Sequence, residues 1–399
     1  MKTYKYLYQK MLDENIIRRA FYKLRKGKTK RKEIKYIDEH LDDEIQNMRI
    51  MLENTKPCEV SNPELAFKPS YHKPRIINEH GKNRKIFMPE IREQWVHHII
   101  IAVLEPIILS TAHSNACGSY PKRGAHYGKR IIEKWMSDRK NTKFLCKLDI
   151  RHFYDSISHK ILFRELRNHI QDEWFLHVIK ICLKQFRKGL PLGFYISQWL
   201  ANYLLEPVDK MLDKLVVEHI RYMDDMVMYD RYILRLKRGF ERVKGLLRHR
   251  FHLRVKDNYQ LSRFVTHKGN GRPLDFMGFI FYRNKTIMRK KIMIKATRLA
   301  KKIHKIENKG YRIYKKFIAG LVSYMGWYKS TDSYMNFMKY IKPYVRVGRL
   351  KKIISVIDKR RNKNNDGMER NKNGKQARAN CTNRPRLIFA NTKCNLCFT

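Results

Sequence analysis

Negative charge is what this chain has least of: 37 Asp and Glu stand against 87 Lys and Arg, a formal net charge of +50 over 399 residues. So large an imbalance argues against a basic partner and points to a polyanion, with nucleic acid first and a membrane surface as its rival. Long hydrophobic runs are scarce as well. No uninterrupted apolar stretch reaches the roughly 18 residues that a membrane-crossing helix needs. The charged start Met1-Lys2-Thr3-Tyr4-Lys5 offers no signal-peptide core. A cytoplasmic protein with no membrane partner is expected.

Cysteine is thinly spread, at positions 58, 117, 146, 182, 381, 394 and 397. An odd, scattered set excludes a dense disulfide framework and fits reduced thiols. Only Cys394-Asn395-Leu396-Cys397 has metal-like spacing. With Cys381 it still lacks a fourth ligand, and no His follows His304, so no zinc site is assigned. There is no internal repeat and no long linker.

What is present suits a folded chain with two or three subdomains: 43% of residues are apolar. Apolar residues spaced as Ile34, Ile37, Leu41, Ile45, Met48 and Leu52 predict helices up to about residue 56. Residues 71–89 read as strand, turn, strand around His80-Gly81-Lys82-Asn83. A helix is predicted over 90–108, closing near Pro106, and another from Asp155 to Leu166 with Asp155 as its N-cap. Between Arg283 and Lys316 a helix-forming pattern carries many Lys and Arg with Glu307 as its single acid. That is too one-sided for intrahelical pairing and suits a phosphate-gripping face. Tyr324, Trp327, Tyr328, Tyr334, Phe337, Tyr340 and Tyr344 follow at helical spacing, mostly as core.

Chemistry enters at Tyr222-Met223-Asp224-Asp225, two adjacent carboxylates between β-prone apolar stretches, where a hairpin tip would present them. Lys147-Leu148-Asp149 ends another apolar run on a third carboxylate. Three converging oxygen ligands suit two Mg²⁺ ions, with Mn²⁺ as an alternative, and the reaction implied is nucleotidyl transfer by in-line displacement.

The order Asp149, then Gly193-Phe194-Tyr195-Ile196-Ser197-Gln198, then Tyr222-Met223-Asp224-Asp225, then Phe276-Met277-Gly278-Phe279 resembles the palm motifs of reverse transcriptases. The resemblance implies an α+β right-hand polymerase with an antiparallel palm sheet and a helical thumb. Its expected parts are a basic helical extension (1–56), fingers (57–148), palm with part of the fingers (149–282), thumb (283–357) and a basic, disordered tail (358–399). The tail, 42 residues, is too short for a conventional RNase H domain. That favours a stand-alone bacterial or phage enzyme.

The same resemblance implies site residues. Asp149, Asp224 and Asp225 would hold the metals together with the Ile150 carbonyl. Tyr154 would stand against the sugar of the incoming nucleotide, where a ring obstructs a 2′-hydroxyl. RNA-directed RNA polymerases place an aspartate there, and here the aspartate comes one residue later, at Asp155. Gln198 would lie near the nucleotide, Arg84 and Lys82 at its triphosphate, with Arg123 as a further basic contact. Lys256 would donate a proton to pyrophosphate, and Phe276, Met277 and Gly278 would form the primer grip.

Where most retroviral, group II intron and retron enzymes carry Pro-Gln-Gly, this chain has Ser197-Gln198-Trp199. It is similar here to diversity-generating-retroelement and antiphage-defence enzymes. The expected partners are dNTPs, DNA or cDNA, and an RNA template, specifically a structured noncoding RNA. An accessory protein or a homo-oligomer is left open. A non-catalytic maturase-like chaperone and an RNA-directed RNA polymerase are the alternative readings.

Overall fold

The computed structural model describes residues 2–56, 61–79, 82–266 and 269–358, without the side chains of Glu79 and Lys82. The tail from 359, with Cys381, Cys394 and Cys397, lies outside the described residues, as does Cys58. The chain divides into two compact units, Met1–Asn284 and Lys285–Thr399. The fold class is α+β, with the antiparallel sheet expected of a right-hand polymerase palm.

In the first unit, helices Leu7–Met11, Glu14–Arg25, Lys32–Glu39 and Leu41–Glu53 form the predicted helical start. Asp13 opens the second of them by accepting from the Asn15 amide at 2.7 Å. Leu7–Met11 and Glu14–Arg25 pack on Ile91–Thr111, which is apolar around its circumference and therefore central. Its Trp95 Nε1 donates to the Ile17 carbonyl at 2.9 Å. By length and composition this helix could cross a membrane, although its sequence is interrupted by charges. Most of its side chains are instead packed in the core.

It also runs through Pro106 to Thr111, past the predicted close. Pro106 forfeits one intrahelical bond, but Ile107 and Ile108 beyond it are buried, and that burial offsets the loss.

Strands β1 (Arg75–Glu79) and β2 (Lys82–Ile86) form the predicted antiparallel hairpin. β3 (Ala116–Cys117), β4 (Phe144–Asp149), β5 (Glu218–Tyr222), β6 (Asp225–Asp230) and β7 (Gln260–Arg263) form one sheet in the order β3-β5-β6-β4-β7. It is antiparallel except for β3 beside β5. A further hairpin joins β8 (Leu274–Phe276) to β9 (Phe279–Phe281). Cys117, Cys146 and Cys182 are buried free thiols.

The second unit is mainly helical: Lys290–Asn308, Lys315–Lys329, Tyr334–Tyr340 and residues 347–358. Ala296, Ala300 and Ile303 bury one face of the first of these, and Lys290, Lys291, Arg298, Lys301, Lys302 and Lys305 lie exposed. The basic run is thus the open face of an amphipathic helix. Among the aromatic residues Tyr328 is buried and Tyr334 is 65% exposed.

Candidate active site

The carboxylates arrive by register. β4 pairs with β6 from Phe144↔Asp230 to Asp149↔Asp225, so the last residue of one strand faces the first of the other. β5 and β6 close with Tyr222↔Asp225, leaving Met223 and Asp224 as a two-residue turn with Met223 at φ 57. Asp149, Asp224 and Asp225 therefore gather at one edge of the sheet.

The edge carries more negative charge than its surroundings welcome. Burial first, then the neighbouring Asp149 and Asp225 carboxylates, push the Asp224 carboxyl up to about 7. Asp149 Oδ1 is buried without a hydrogen-bond partner, while Oδ2 accepts from the Lys256 ammonium. An orphaned oxygen, crowded carboxylates and a lysine already neutralising one of them fit a cation-binding edge.

Beside this edge opens a cavity of about 670 Å³. Asp224, Lys256 and Ile150 line it on the sheet side, Arg84 and Lys85 from β2, and Tyr154 and Asp155 from the chain after β4. Tyr154 is half-buried, and burial together with Asp224 raises its phenol while Arg84 opposes the rise.

Its placement has a backbone cause. Residues Phe153–Ser156 make one short helical turn, and a separate helix begins at His159. Asp155 is thus exposed within that turn and is not the predicted N-cap, a position held by Ser158. The helix does not run on because the Tyr154 and Ile157 carbonyls accept instead from Leu190 (2.8 Å) and Gly189 (2.9 Å). Gly189 takes φ 87 there, and a Cβ on it would stand 3.0 Å from the Tyr154 oxygen.

Gly193 closes the other wall. The Phe87 amide donates to the Leu192 carbonyl at 2.8 Å, and a Cβ on Gly193, at φ 104, would lie 2.0 Å from the Phe87 oxygen. Only glycine lets the β1–β2 hairpin approach the segment leading into helix Tyr195–Leu204.

Two expected contacts are not brought to this cavity. Gln198 is exposed on helix Tyr195–Leu204 and is not among the lining residues. Arg123 is likewise absent from the lining: it donates to the His113 carbonyl at 2.9 Å, and its guanidinium lies 5.8 Å from the Tyr120 ring centroid. The Lys82 side chain lies outside the described residues. Phe276 is buried, and Met277 and Gly278 form the β8–β9 turn at φ 51 and 87. Lys85, His152 and Lys188 line the cavity although sequence reasoning did not single them out. For Lys188 the signal was its place just before Gly189-Leu190-Pro191-Leu192, a stretch that had to turn.

Among the described residues, one group of three His, Cys, Asp or Glu side chains brings its ligand atoms within 4.8 Å of one another: His113, Asp213 and His219. Asp213 Oδ1 stands between the two rings, 3.6 Å from His219 Nδ1, and His219 Nε2 is buried without a hydrogen-bond partner. His113 Nδ1 accepts from the Asn115 amide at 3.1 Å, so the proton of the neutral ring sits on Nε2, 3.0 Å from Asp213 Oδ1. A metal on Nε2 would require that proton to leave.

The family model described as reverse transcriptase (RNA-dependent DNA polymerase) matches residues 71–280. Protein YkfC of Escherichia coli (strain K12) is 27% identical over 39% of this chain and 43% of its own length. The "uncharacterized 91 kDa protein in cob intron" of Schizosaccharomyces pombe is 28% identical over 35% of this chain and 18% of its own. The chain thus spans less than half the length of these curated relatives. Among solved structures, apo telomerase from Candida tropicalis, truncated from its C-terminal domain, overlaps 55% of each chain with a TM-score of 0.43 and 12% identity. With more than half of its residues inside the family model, and with the three carboxylates within that span, the chain belongs to the reverse transcriptase (RNA-dependent DNA polymerase) family.

Proposed function

We propose that this protein is an RNA-directed DNA polymerase that copies a structured RNA into cDNA. The observation that carries the reading is one cavity lined by Asp224, Lys256, Arg84 and Tyr154, at the sheet edge where Asp149 and Asp225 face each other. In this reading residues 57–148 act as fingers, 149–282 as palm and 283–357 as thumb.

Asp149, Asp224, Asp225 and the Ile150 carbonyl would hold Mg²⁺, with Mn²⁺ able to replace it. When bound, such a metal pair supplies activation of the primer 3′-hydroxyl and neutralisation of charge on the leaving oxygens. Arg84 and Lys85 receive the triphosphate, the guanidinium through paired hydrogen bonds. Lys256 gives a proton to departing pyrophosphate. Phe276, Met277 and Gly278 hold the primer end, and the exposed lysines of helix Lys290–Asn308 hold phosphates of the primer–template.

Tyr154 decides the sugar. A ring against the ribose leaves no room for a 2′-hydroxyl, which favours dNTP over NTP. Excess positive charge by itself gives only salt-sensitive, nonspecific affinity, so choice of template comes from RNA shape and unpaired loops. Ser197-Gln198-Trp199 supports a role in a diversity-generating retroelement or in antiphage defence.

Extension of a primed RNA template by purified protein with dNTPs and Mg²⁺ tests the reading. A folded Asp149→Asn variant should lose incorporation by a factor on the order of 10³. Tyr154→Val should raise the NTP to dNTP incorporation ratio by about tenfold. Near wild-type extension by the first variant would remove Asp149 from the site, and an unchanged ratio in the second, with activity kept, would place the sugar gate elsewhere.

A further inference from the structure

The turn that presents Asp224 begins with a non-glycine residue in the left-handed region, Met223 at φ 57. That conformation is costly for a side chain with a Cβ and persists only where surrounding contacts impose it. Three contacts do. The Met223 amide donates to the Cys117 carbonyl at 3.3 Å, and the Met223 side chain lies over Gly118, where a Cβ would come within 3.2 Å of its Cγ. The third contact is to the Met223 carbonyl, which accepts from Arg221 Nη1 at 3.3 Å.

Arg221 is fully buried, an unusual place for a guanidinium. Its charge is met by Asp209, also fully buried, whose Oδ1 and Oδ2 accept from Nε at 3.0 Å and whose Oδ2 accepts from Nη2 at 2.6 Å. Nη1 also reaches Asn202 Oδ1 at 2.9 Å, and Asn202 Nδ2 donates to the Gly118 carbonyl at 3.0 Å. One planar group thus ties together helix Glu206–Leu215, helix Tyr195–Leu204 and the turn before Asp224. A structural ion pair needs no contact with a strained turn. Here the turn carbonyl is one of the atoms bound.

We infer that Arg221, oriented by Asp209 and Asn202, is a positioning residue: it fixes the Met223 carbonyl, and through the following peptide it sets where the Asp224 carboxylate stands relative to Asp149. The inference rests on the proposed metal-binding role of those carboxylates. Groups one shell behind metal ligands typically change metal affinity or activity by about 10–100-fold when altered, because ligand placement must hold within about 0.5 Å.

Removing Arg221 alone would strand a buried Asp209 charge and unfold the protein. The test therefore uses Arg221→Met together with Asp209→Leu, which removes both charges at similar volume, and Arg221→Lys, which keeps the charge but loses the fork. Three quantities are read: melting temperature, primer–template affinity, and Mn²⁺ binding followed by electron paramagnetic resonance, with Asp224→Asn marking the signal that belongs to the site. For the folded double variant the expected result is Mn²⁺ affinity lower by about tenfold or more, with primer–template affinity unchanged; Arg221→Lys should shift it in the same direction.

Unchanged Mn²⁺ affinity in a folded double variant overturns the inference. If the double variant does not fold, unchanged affinity in Arg221→Lys overturns it equally. Because Mn²⁺ binding is read without turnover, the two readings fail separately. A wild-type protein that binds Mn²⁺ but incorporates no dNTP sinks the polymerase reading and leaves the positioning role standing.

Discussion

Two tight hairpins in the first unit share the first turn residue and part at the second, and the difference separates a turn that only reverses the chain from one that presents a carboxylate. β5–β6 closes with Tyr222↔Asp225 and β8–β9 with Phe276↔Phe279, each over two central residues. Both begin the turn with a left-handed methionine, Met223 at φ 57 and Met277 at φ 51. At the second position β8–β9 has Gly278 at φ 87, the pattern of a type I′ turn. β5–β6 has Asp224 in its place, outside the left-handed region, so only Met223 carries a positive φ there.

Their attachment differs as well. β6 is laddered along β4 over its whole length, so Asp225 is held against Asp149 by backbone bonds. The β8–β9 hairpin meets the same strand through a side chain, Lys147 Nζ donating to the Asp275 carbonyl at 2.7 Å. The carboxylate edge lies within the five-stranded sheet; the proposed primer-holding turn belongs to a hairpin outside it, whose entering chain is backbone-bonded through Arg272 to Arg263 and Val265.

Taking the carboxylate out of the first turn gives the largest effect. Asp224→Gly gains nothing from turn geometry, because Asp224 lies outside the left-handed region, but it removes a carboxylate that is crowded and pushed up to about 7 by burial and its neighbours. The entropy that glycine adds to the unfolded chain, about 0.5–1 kcal/mol, is opposed by relief of the crowded carboxylates, so melting temperature should shift by only a few degrees while dNTP incorporation falls by a factor on the order of 10³. A variant that is clearly less stable would show that Asp224 serves the turn after all.

Gly278→Ala comes next. Placing a Cβ at φ 87 costs about 1–2 kcal/mol, so the melting temperature should fall and the KM for primer–template should rise with a smaller change in kcat. Loss confined to kcat would move this turn from holding the primer to the chemistry.

The sequence made the carboxylates legible because each closes or opens an apolar β-prone run, and register then leaves little freedom for Asp149 and Asp225. The β1–β2 hairpin was legible for the same local reason, whereas the β8–β9 turn was read only from the family resemblance, because its apolar residues by themselves suit a core strand. Partners distant in the chain were not. β5 was expected only as a β-prone apolar stretch, yet the polar His219 and Arg221 are buried in it beside Ile220, and Asp209 neutralises the guanidinium. Lys188 reaches the cavity only because Gly189 and Leu190 take the carbonyls that a longer helix after Tyr154 would have used. Arg123 and Gln198 match a motif in spacing, but spacing does not say which face of an element looks into the cavity. Pro106 marked a helix end locally, and the burial of Ile107 and Ile108 overrode it.

The smallest predicted effect tests how the β8–β9 turn is seated. Gly128, inside helix Ala125–Ser137, lies under Met277: a Cβ there would stand 2.6 Å from Met277 Cε and 2.7 Å from its Sδ. Alanine in a helix interior ordinarily stabilises by about 0.4–1 kcal/mol through the unfolded chain. Here that gain meets a contact that must move, and what moves is the flexible end of a methionine, which shifts at low cost. The two terms nearly cancel, so Gly128→Ala should keep its melting temperature within about 2 °C. The displaced Met277 should nevertheless raise the KM for primer–template by about threefold while kcat holds, the signature of lost uniform binding. Steady-state extension with varied primer–template measures it. An unchanged KM would mean that Met277 does not bear on the primer, and an effect larger than that of Gly278→Ala would mean that the methionine side chain, more than the turn's backbone, is what holds it.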